Sequence, residues 1–450
     1  MPSPTISTTP SLRRELGPWD LTAIGVNQVL GGAVFAVPAT IAASVGGWSP
    51  WMVGAVGLAS MLFALAFAEV ASRFDGTGGS YLYTRAAFGR FAGFEVGWMM
   101  WFTRVASWAA VINVLVSSLG FYWPSMAVGL PRAILIATII IILTAINIRG
   151  IRLSSFVVNL LTLGKLVPLA VFVVAGVFFV EWSRLRPGPL PGVTDVSASG
   201  LLLIYAFGGY EVVPVPGGEA RNPRHDVPFA LIMTIAFIAL LLTLTQIVAV
   251  GTFPQLAASK TPLADAAALF LGAGGAALIT IGAVVSATGN NMGGAISGSR
   301  NLFALAEQGD LPHVFAWVHP TYRTPVNAIV ITSVAALILA VSGTFQTMAT
   351  ASAISRLVLY VGTCASAIRL RNRRFQDRVK PATFVVPFGP AVPLAAIVIA
   401  MLVLAGATTV QLRNGALALL AGAVLYAIAV RSPGTTHTSP TASQDSRRGR

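Results

Sequence analysis

Residues 25–33, Gly25-Val26-Asn27-Gln28-Val29-Leu30-Gly31-Gly32-Ala33, set two amides and a glycine pair inside an apolar run that extends over 21–46. A second run, 199–216, is interrupted in the same way by Ala206-Phe207-Gly208-Gly209-Tyr210-Glu211, with Pro214 and Pro216 close behind. A helix in lipid satisfies its own backbone, so glycines and polar residues at the centre of a span mark a place where the chain can leave the helix. Glycines also serve close helix packing, and for either run alone that is the simpler account. The matched pair reads as two discontinuous helices.

Around these two runs the same apolar character recurs. Further segments lie at 50–71, 97–121, 133–148, 155–180, 228–253, 276–298, 326–341, 348–368, 385–407 and 415–430. Most are long enough to cross roughly 30 Å of hydrocarbon, whereas the fourth and twelfth in chain order, at about sixteen residues, are short for a span. With 55% hydrophobic and 10% charged residues, the chain is too apolar for a soluble globule. The expected fold is an all-α membrane protein of about twelve transmembrane helices.

The interrupted spans are the first and the sixth. Five is odd, so a repeat of five helices places its copies in opposite orientation across the membrane. This predicts a five-plus-five inverted-repeat transporter fold with discontinuous helices 1 and 6. The transport core is expected over 17–374, with two additional transmembrane helices over 375–431. The segments 1–16 and 432–450 are rich in Ser, Thr and Pro and are expected to be disordered cytoplasmic tails, the first without the apolar stretch of a signal peptide.

The formal charge of +14 arises from 29 Lys and Arg against 15 Asp and Glu. Under the span assignment Arg73, Arg85, Arg90, Arg149, Arg221, Arg300, Arg323 and the cluster at 369–380 share one side, while Arg132, Arg184, Arg186, Lys260 and Arg413 lie on the other. Such an asymmetry is a topology signal and not a polyanion-binding surface. The protein is expected in the cytoplasmic membrane with both termini in the cytoplasm, the lipid bilayer as its surroundings and no nucleic-acid partner.

Cys364 is the single cysteine, which excludes an internal disulfide and a Cys-based metal cluster. The four histidines, His225, His313, His319 and His437, fall in predicted loops or tails without metal-ligand spacing, and no glycine-rich phosphate loop is present. No metal, cofactor or catalytic constellation is expected, which disfavours an enzyme or an ATP-driven pump. A channel would need a filter or a ring of charge, and neither is evident.

Several separated segments carry a family likeness. Gly31-Gly32-Ala33-Val34-Phe35 is similar to a Gly-x-Gly-Ile-Phe element, with Ala33 where a second glycine is usual. Residues 69–98 contain Gly78-Gly79-Ser80-Tyr81 and Ala87-Phe88-Gly89. Ala206 to Glu211, and then Gly218-Glu219-Ala220-Arg221-Asn222-Pro223, look like Phe-x-Gly-Phe-Glu and Glu-x-x-Asn-Pro elements. Ser299-Arg300-Asn301-Leu302, Gly309-Asp310-Leu311-Pro312 and Arg323-Thr324-Pro325 follow in order. The chain in this respect resembles the amino acid-polyamine-organocation (APC) superfamily of permeases over 17–374.

That resemblance implies alternating access and an amino acid substrate held where the two breaks meet. A substrate carboxylate fits free N–H groups and a helix N-terminus, which singles out Leu30, Gly31, Gly32 and Ala33. Tyr205, Ala206, Phe207 and Gly208 face them from the sixth span, with Tyr205 or Phe207 as a lid, and Ser107 and Ser286 as walls. Plain packing and ordinary interhelical hydrogen bonds are the competing accounts of these aromatics and serines.

Ionisable groups at a span centre cost roughly 2.5–3.5 kcal/mol on insertion scales, so each needs a partner, water or a neutral state. Arg104, Lys165 and Arg356 qualify. Leu163-Gly164-Lys165-Leu166-Val167-Pro168 is similar to the fifth helix of sodium-independent, proton-coupled APC members, which makes Lys165 the expected coupling residue. Lysine, unlike arginine, can alternate between charged and neutral in a dry site; the alternative is a lysine snorkelling to the interface. Arg104 and Glu211 are candidate gate or pocket charges, with a structural bond as the alternative, and Arg356 reads as structural. Glu69 and Glu219 read as solvated partners of loop arginines. Neutral amino acids are the expected substrates and cationic amino acids and polyamines are disfavoured, while Arg104 leaves anionic ones open. Symport and exchange share the fold.

Overall fold

The computed structural model describes residues 16–76, 78–120, 123–149, 155–375 and 377–431. Most of both predicted tails therefore lies outside the described residues, as do Phe121 and the loop residues 150–154. Among the described residues no strand forms; a single bridge joins Leu16 to Ala220.

The chain opens with α1 (Pro18–Val29), whose proline sits at the first helical position, where a missing N–H costs nothing. Asp20 accepts the Gly17 N–H at 2.8 Å. Next come α2 (Ala33–Val45), α3 (Ser49–Ala71), the short α4 (Ser80–Phe88), α5 (Arg90–Leu119), α6 (Gly129–Ile148) and α7 (Ser155–Gly176). The second half begins with α8 (Val193–Phe207) and two 3-10 turns, followed by α9 (Pro223–Thr252), α10 (Pro262–Glu307), α11 (Val326–Ser342), α12 (Phe345–Arg369), α13 (Ala391–Ala405) and α14 (Thr409–Arg431). Within α10, Gly272 adopts φ +66°, which turns the short stretch before it away from the long helix after it.

Two length estimates change. The segments read as sixteen-residue spans form helices of 20 (α6) and 23 (α14) residues. Polar and glycine-bearing ends such as Gly129 to Arg132 and Thr409 to Arg413 join the helix although they do not belong to the apolar run. Among the described residues seven helical stretches are long and apolar enough to cross a membrane, and four shorter apolar helices accompany them. This is a multi-pass membrane protein. Ile141, Ile338, Leu402 and Val424 are exposed on its outside, as a lipid-facing surface requires.

The interior is built from helix pairs. α3 packs along α9, α5 lies between α10 and α12, α7 lies on α10, α6 on α11 and α1 on α9. α13 covers α3 and α12 from outside, and α14 covers α5.

On the arginine-rich side two carboxylates tie elements together. Glu69, read above as solvated, is fully buried; Arg371 donates to both of its oxygens, Arg73 lies 3.6 Å away and the Val386 N–H donates at 3.0 Å. Folding the segment after α12 back over the end of α3 takes water from this carboxylate, and the arginines and the N–H replace it. Glu219, by contrast, is exposed. Asp310 accepts from Tyr81 at 2.7 Å, Arg90 at 2.9 Å and Arg85 at 3.3 Å. Burial, with the Asp310 carboxylate beside it, raises the Tyr81 phenol above its ordinary pKa, so it stays a donor.

Candidate functional site

The first break begins where α1 ends. The Leu30 N–H still reaches the Val26 carbonyl, but ψ of 79° at Leu30 takes the chain out of the helix, and Gly31 closes only a tight turn onto Val29. The last carbonyls of a helix have no partners within it. Here side chains supply them. Lys165 of α7 donates to the carbonyls of Asn27 at 2.7 Å and Leu30 at 2.8 Å. Asn290 of α10 donates to Gln28 at 3.0 Å, and Ser286 to Leu30 at 3.1 Å and Gly31 at 3.2 Å. The Lys165 ammonium thus sits at the negative end of α1, buried and turned inward, and does not snorkel to the interface. On the other side of the break, Gly32 and Ala33 open the first turn of α2, where a helix has no carbonyl of its own to offer their N–H groups.

The second break begins after Phe207. Gly208 is extended, Gly209 has φ +134°, and a 3-10 turn over Tyr210–Val212 follows. A Cβ on Gly209 would stand 2.6 Å from the carbonyl oxygen of Gln28, so the two breaks meet backbone to backbone. Glu211 folds back on this turn. Its Oε2 accepts the Gly209 N–H at 2.7 Å and the Tyr360 hydroxyl at 3.3 Å, and its Oε1 accepts from Arg356 at 2.9 Å and from Arg104. Arg356 also reaches the Tyr205 carbonyl at 3.4 Å and Ser107 at 3.5 Å, and its guanidinium lies against Gly208, where a larger residue would displace it.

The two breaks are furnished alike. A cation from α7 holds the last carbonyls of α1, and a cation from α12 reaches the last turn of α8. The difference is chemical: lysine can give up its proton and arginine cannot.

Leu30, Gly31, Gly32, Ala33, Tyr205, Ala206, Phe207, Gly208 and Ser286 all gather at the joined breaks and are buried. Ser107 is half-buried and shares a hydrogen bond with Ser352 at 2.8 Å. The two aromatics diverge. Tyr205 meets Phe345 edge to face at 5.9 Å, with Arg356 over its ring at 5.9 Å. Phe207 points to the α3–α9 seam, its Cζ 3.2 Å from where a Gly57 Cβ would stand.

A cavity of about 620 Å³ opens on the side away from the arginine-rich loops. Its rim includes Pro124, Ala127 and Lys260, and its walls include Phe35, Val114, Ala283 and Phe345. None of the predicted substrate contacts lines it. Val114 lies 2.9 Å from a Cβ position on Gly32, and Phe345 covers Tyr205, so the breaks lie directly behind its walls.

The profile of a family described as amino acid permease matches residues 16–429, which include both breaks and every side chain of the site. The chain belongs to the amino acid permease family. It is therefore a transporter and not an enzyme, and the likeness to APC permeases read from the motifs holds. The permease is 27% identical to the methylthioribose transporter of Bacillus subtilis (strain 168), over 86% of this chain and 87% of that one. It is 27% identical to the serine/threonine exchanger SteT of the same organism over 91% of this chain and 95% of the relative. With the branched-chain amino acid permease BcaP, also of that organism, identity is 26% over 92% and 93%.

Two members of this permease's site escaped the sequence reading. Asn290 left a signal, because Asn290-Asn291 is an amide pair in an apolar span. Tyr360 left none, since a lone tyrosine in a span reads as packing.

Proposed function

We propose that this permease is a secondary active transporter that carries amino acids across the cytoplasmic membrane by alternating access, coupled to protons through Lys165, with both termini in the cytoplasm. The packing supports an inverted repeat. Counting α1 with α2 as the first span, α3 and α9, α5 and α10, and α6 and α11 are five spans apart, and each pair is in contact. Exchanging partners under the same rule turns α5 on α12 into α10 on α7, and both contacts exist. A twofold axis in the membrane plane accounts for all of these at once.

The observation that carries the coupling is the pair of hydrogen bonds from Lys165 to Asn27 and Leu30. Charged, the ammonium binds α7 to the end of α1 through two charge-assisted bonds. Neutral, it retains weaker ones, and α1 is freer to shift against α7. Proton loss thereby biases a two-state element. The substrate carboxylate belongs at the N–H groups of Gly32 and Ala33, with Tyr205 as the lid; Phe207, turned toward α3, serves the scaffold.

Cationic amino acids remain disfavoured as substrates. The three cations and one carboxylate at the breaks also count against cationic substrates but do not oppose an anionic one. Exchange is the second reading, favoured by the likeness to a serine/threonine exchanger. In proteoliposomes of the full chain, a radiolabelled amino acid panel should show sodium-free uptake that an inward proton gradient drives without internal counter-substrate. Lys165→Ala and Lys165→Arg should lose gradient-driven accumulation while still binding substrate. Undiminished accumulation by Lys165→Ala removes this coupling mechanism, and an absolute need for internal amino acid selects exchange.

A further inference from the structure

We infer that the preferred substrate is an acidic amino acid, whose side-chain carboxylate is received by Arg104; this rests on the amino acid transport reading above. The argument is one of charge. At the joined breaks Arg104 and Arg356 share a single carboxylate, Glu211, while Lys165 holds the end of α1, and all four are buried. The other buried carboxylates among the described residues, Glu69, Asp226, Asp310 and that of Glu95, sit at or near helix ends, Glu69 and Asp310 with arginines of their own.

Helix ends offset part of this excess. The C-termini of α1 and α8 each present roughly half a negative charge, but the N-terminus of α2 returns about half a positive one. The site stays net positive. A zwitterion with a neutral side chain brings no net charge and leaves the excess where it was. An acidic amino acid brings one negative charge and offsets it.

Geometry points the same way. Arg104 spends one terminal nitrogen on Glu211, while its Nε is buried with no hydrogen-bond partner. An unpaired buried guanidinium nitrogen is costly unless an acceptor arrives. The carboxylate that Arg104 shares lies on the turn that touches Gln28, next to the first break. A substrate held by its α-carboxylate at Gly32 and Ala33 can extend its side chain across that contact toward Arg104. Arg356 is occupied by Glu211 and the Tyr205 carbonyl, which leaves Arg104 as the residue that sets specificity.

The test is uptake of radiolabelled L-glutamate, L-aspartate, L-leucine, L-serine and L-arginine into proteoliposomes of the full chain. Glutamate or aspartate should be preferred over leucine and serine by at least about tenfold in uptake at low concentration, and arginine should not enter. Arg104→Gln should lose the acidic substrates and keep or gain the neutral ones. Because that variant also removes a partner of Glu211, the wild-type protein in detergent provides a second measurement: L-glutamate should raise its melting temperature and L-leucine should do so less. Preference for leucine or serine with no stabilisation by glutamate overturns the acidic substrate and leaves amino acid transport standing. No uptake of any amino acid overturns the transport reading itself.

Discussion

Gly209 does two things that no other residue can do together. Its φ of +134° belongs to a region that side chains rarely enter, and a Cβ there would stand 2.6 Å from the Gln28 carbonyl. Gly209→Ala should therefore part the two breaks, costing at least the roughly 1–3 kcal/mol of a strained backbone position and more for the clash. Melting in detergent and substrate binding should both report it, and a variant that melts and binds as the wild type would show that the breaks do not depend on this contact. At this scale the sequence was readable wherever it broke the rule for its surroundings. Glycines, amides and lone charges in apolar spans marked Gly31, Gly208, Lys165 and Glu211. What each charge touches was not readable, because that depends on helices far away in the chain. Arg356 is the clearest example: read as structural, it shares a carboxylate with Arg104, and no spacing along the sequence connects α5, the turn after α8 and α12. Tyr205 and Phe207 were indistinguishable as lids for the same reason, since two residues of helix rotation send one toward α12 and the other toward α3.

Among the elements, α4 and the loop after α10 form a latch on the arginine-rich side. Asp310 gathers Tyr81, Arg85 and Arg90, which lie on α4 and at the start of α5. α5 and α10, which pack on each other, are also the helices that the proposed repeat would make equivalent. Asp310→Asn leaves Arg85 and the half-exposed Arg90 without their carboxylate; water screens the freed guanidiniums, so the cost is that of several lost hydrogen bonds to a charged group, about 1.5–3 kcal/mol each. Tyr81→Phe removes one hydrogen bond to a charged group and should cost about 1.5–3 kcal/mol. Melting temperatures of the two variants in detergent should fall in that order, and the reverse order would mean that the phenol and not the ion pairs holds the latch. The motif Gly78-Gly79-Ser80-Tyr81 was visible in the sequence as a family likeness, and so was Gly309-Asp310-Leu311-Pro312. Their joining was not, because 229 residues separate Tyr81 from Asp310. Helix ends were blurred for a related reason: Gly129 and Thr409 extend α6 and α14 past the apolar residues by which a span is recognised.

Over the whole molecule, charge asymmetry and packing bear on one arrangement. If the basic loops set the orientation as proposed, a reporter fused after Arg431 should be active only in its cytoplasmic form; activity as a translocated reporter would require an odd number of spans and break the proposed repeat register. The two breaks meet, and each has a cation, one that can release a proton and one that cannot. The most direct test of proton coupling through Lys165 is proton flux. Proteoliposomes of the full chain with a trapped pH indicator, in sodium-free buffer, would receive an external mixture of the twenty proteinogenic amino acids adjusted to the bath pH. The wild-type protein should acidify the lumen as substrate enters, and Lys165→Ala should not. Substrate entry without acidification by the wild type, or equal acidification by Lys165→Ala, would contradict it.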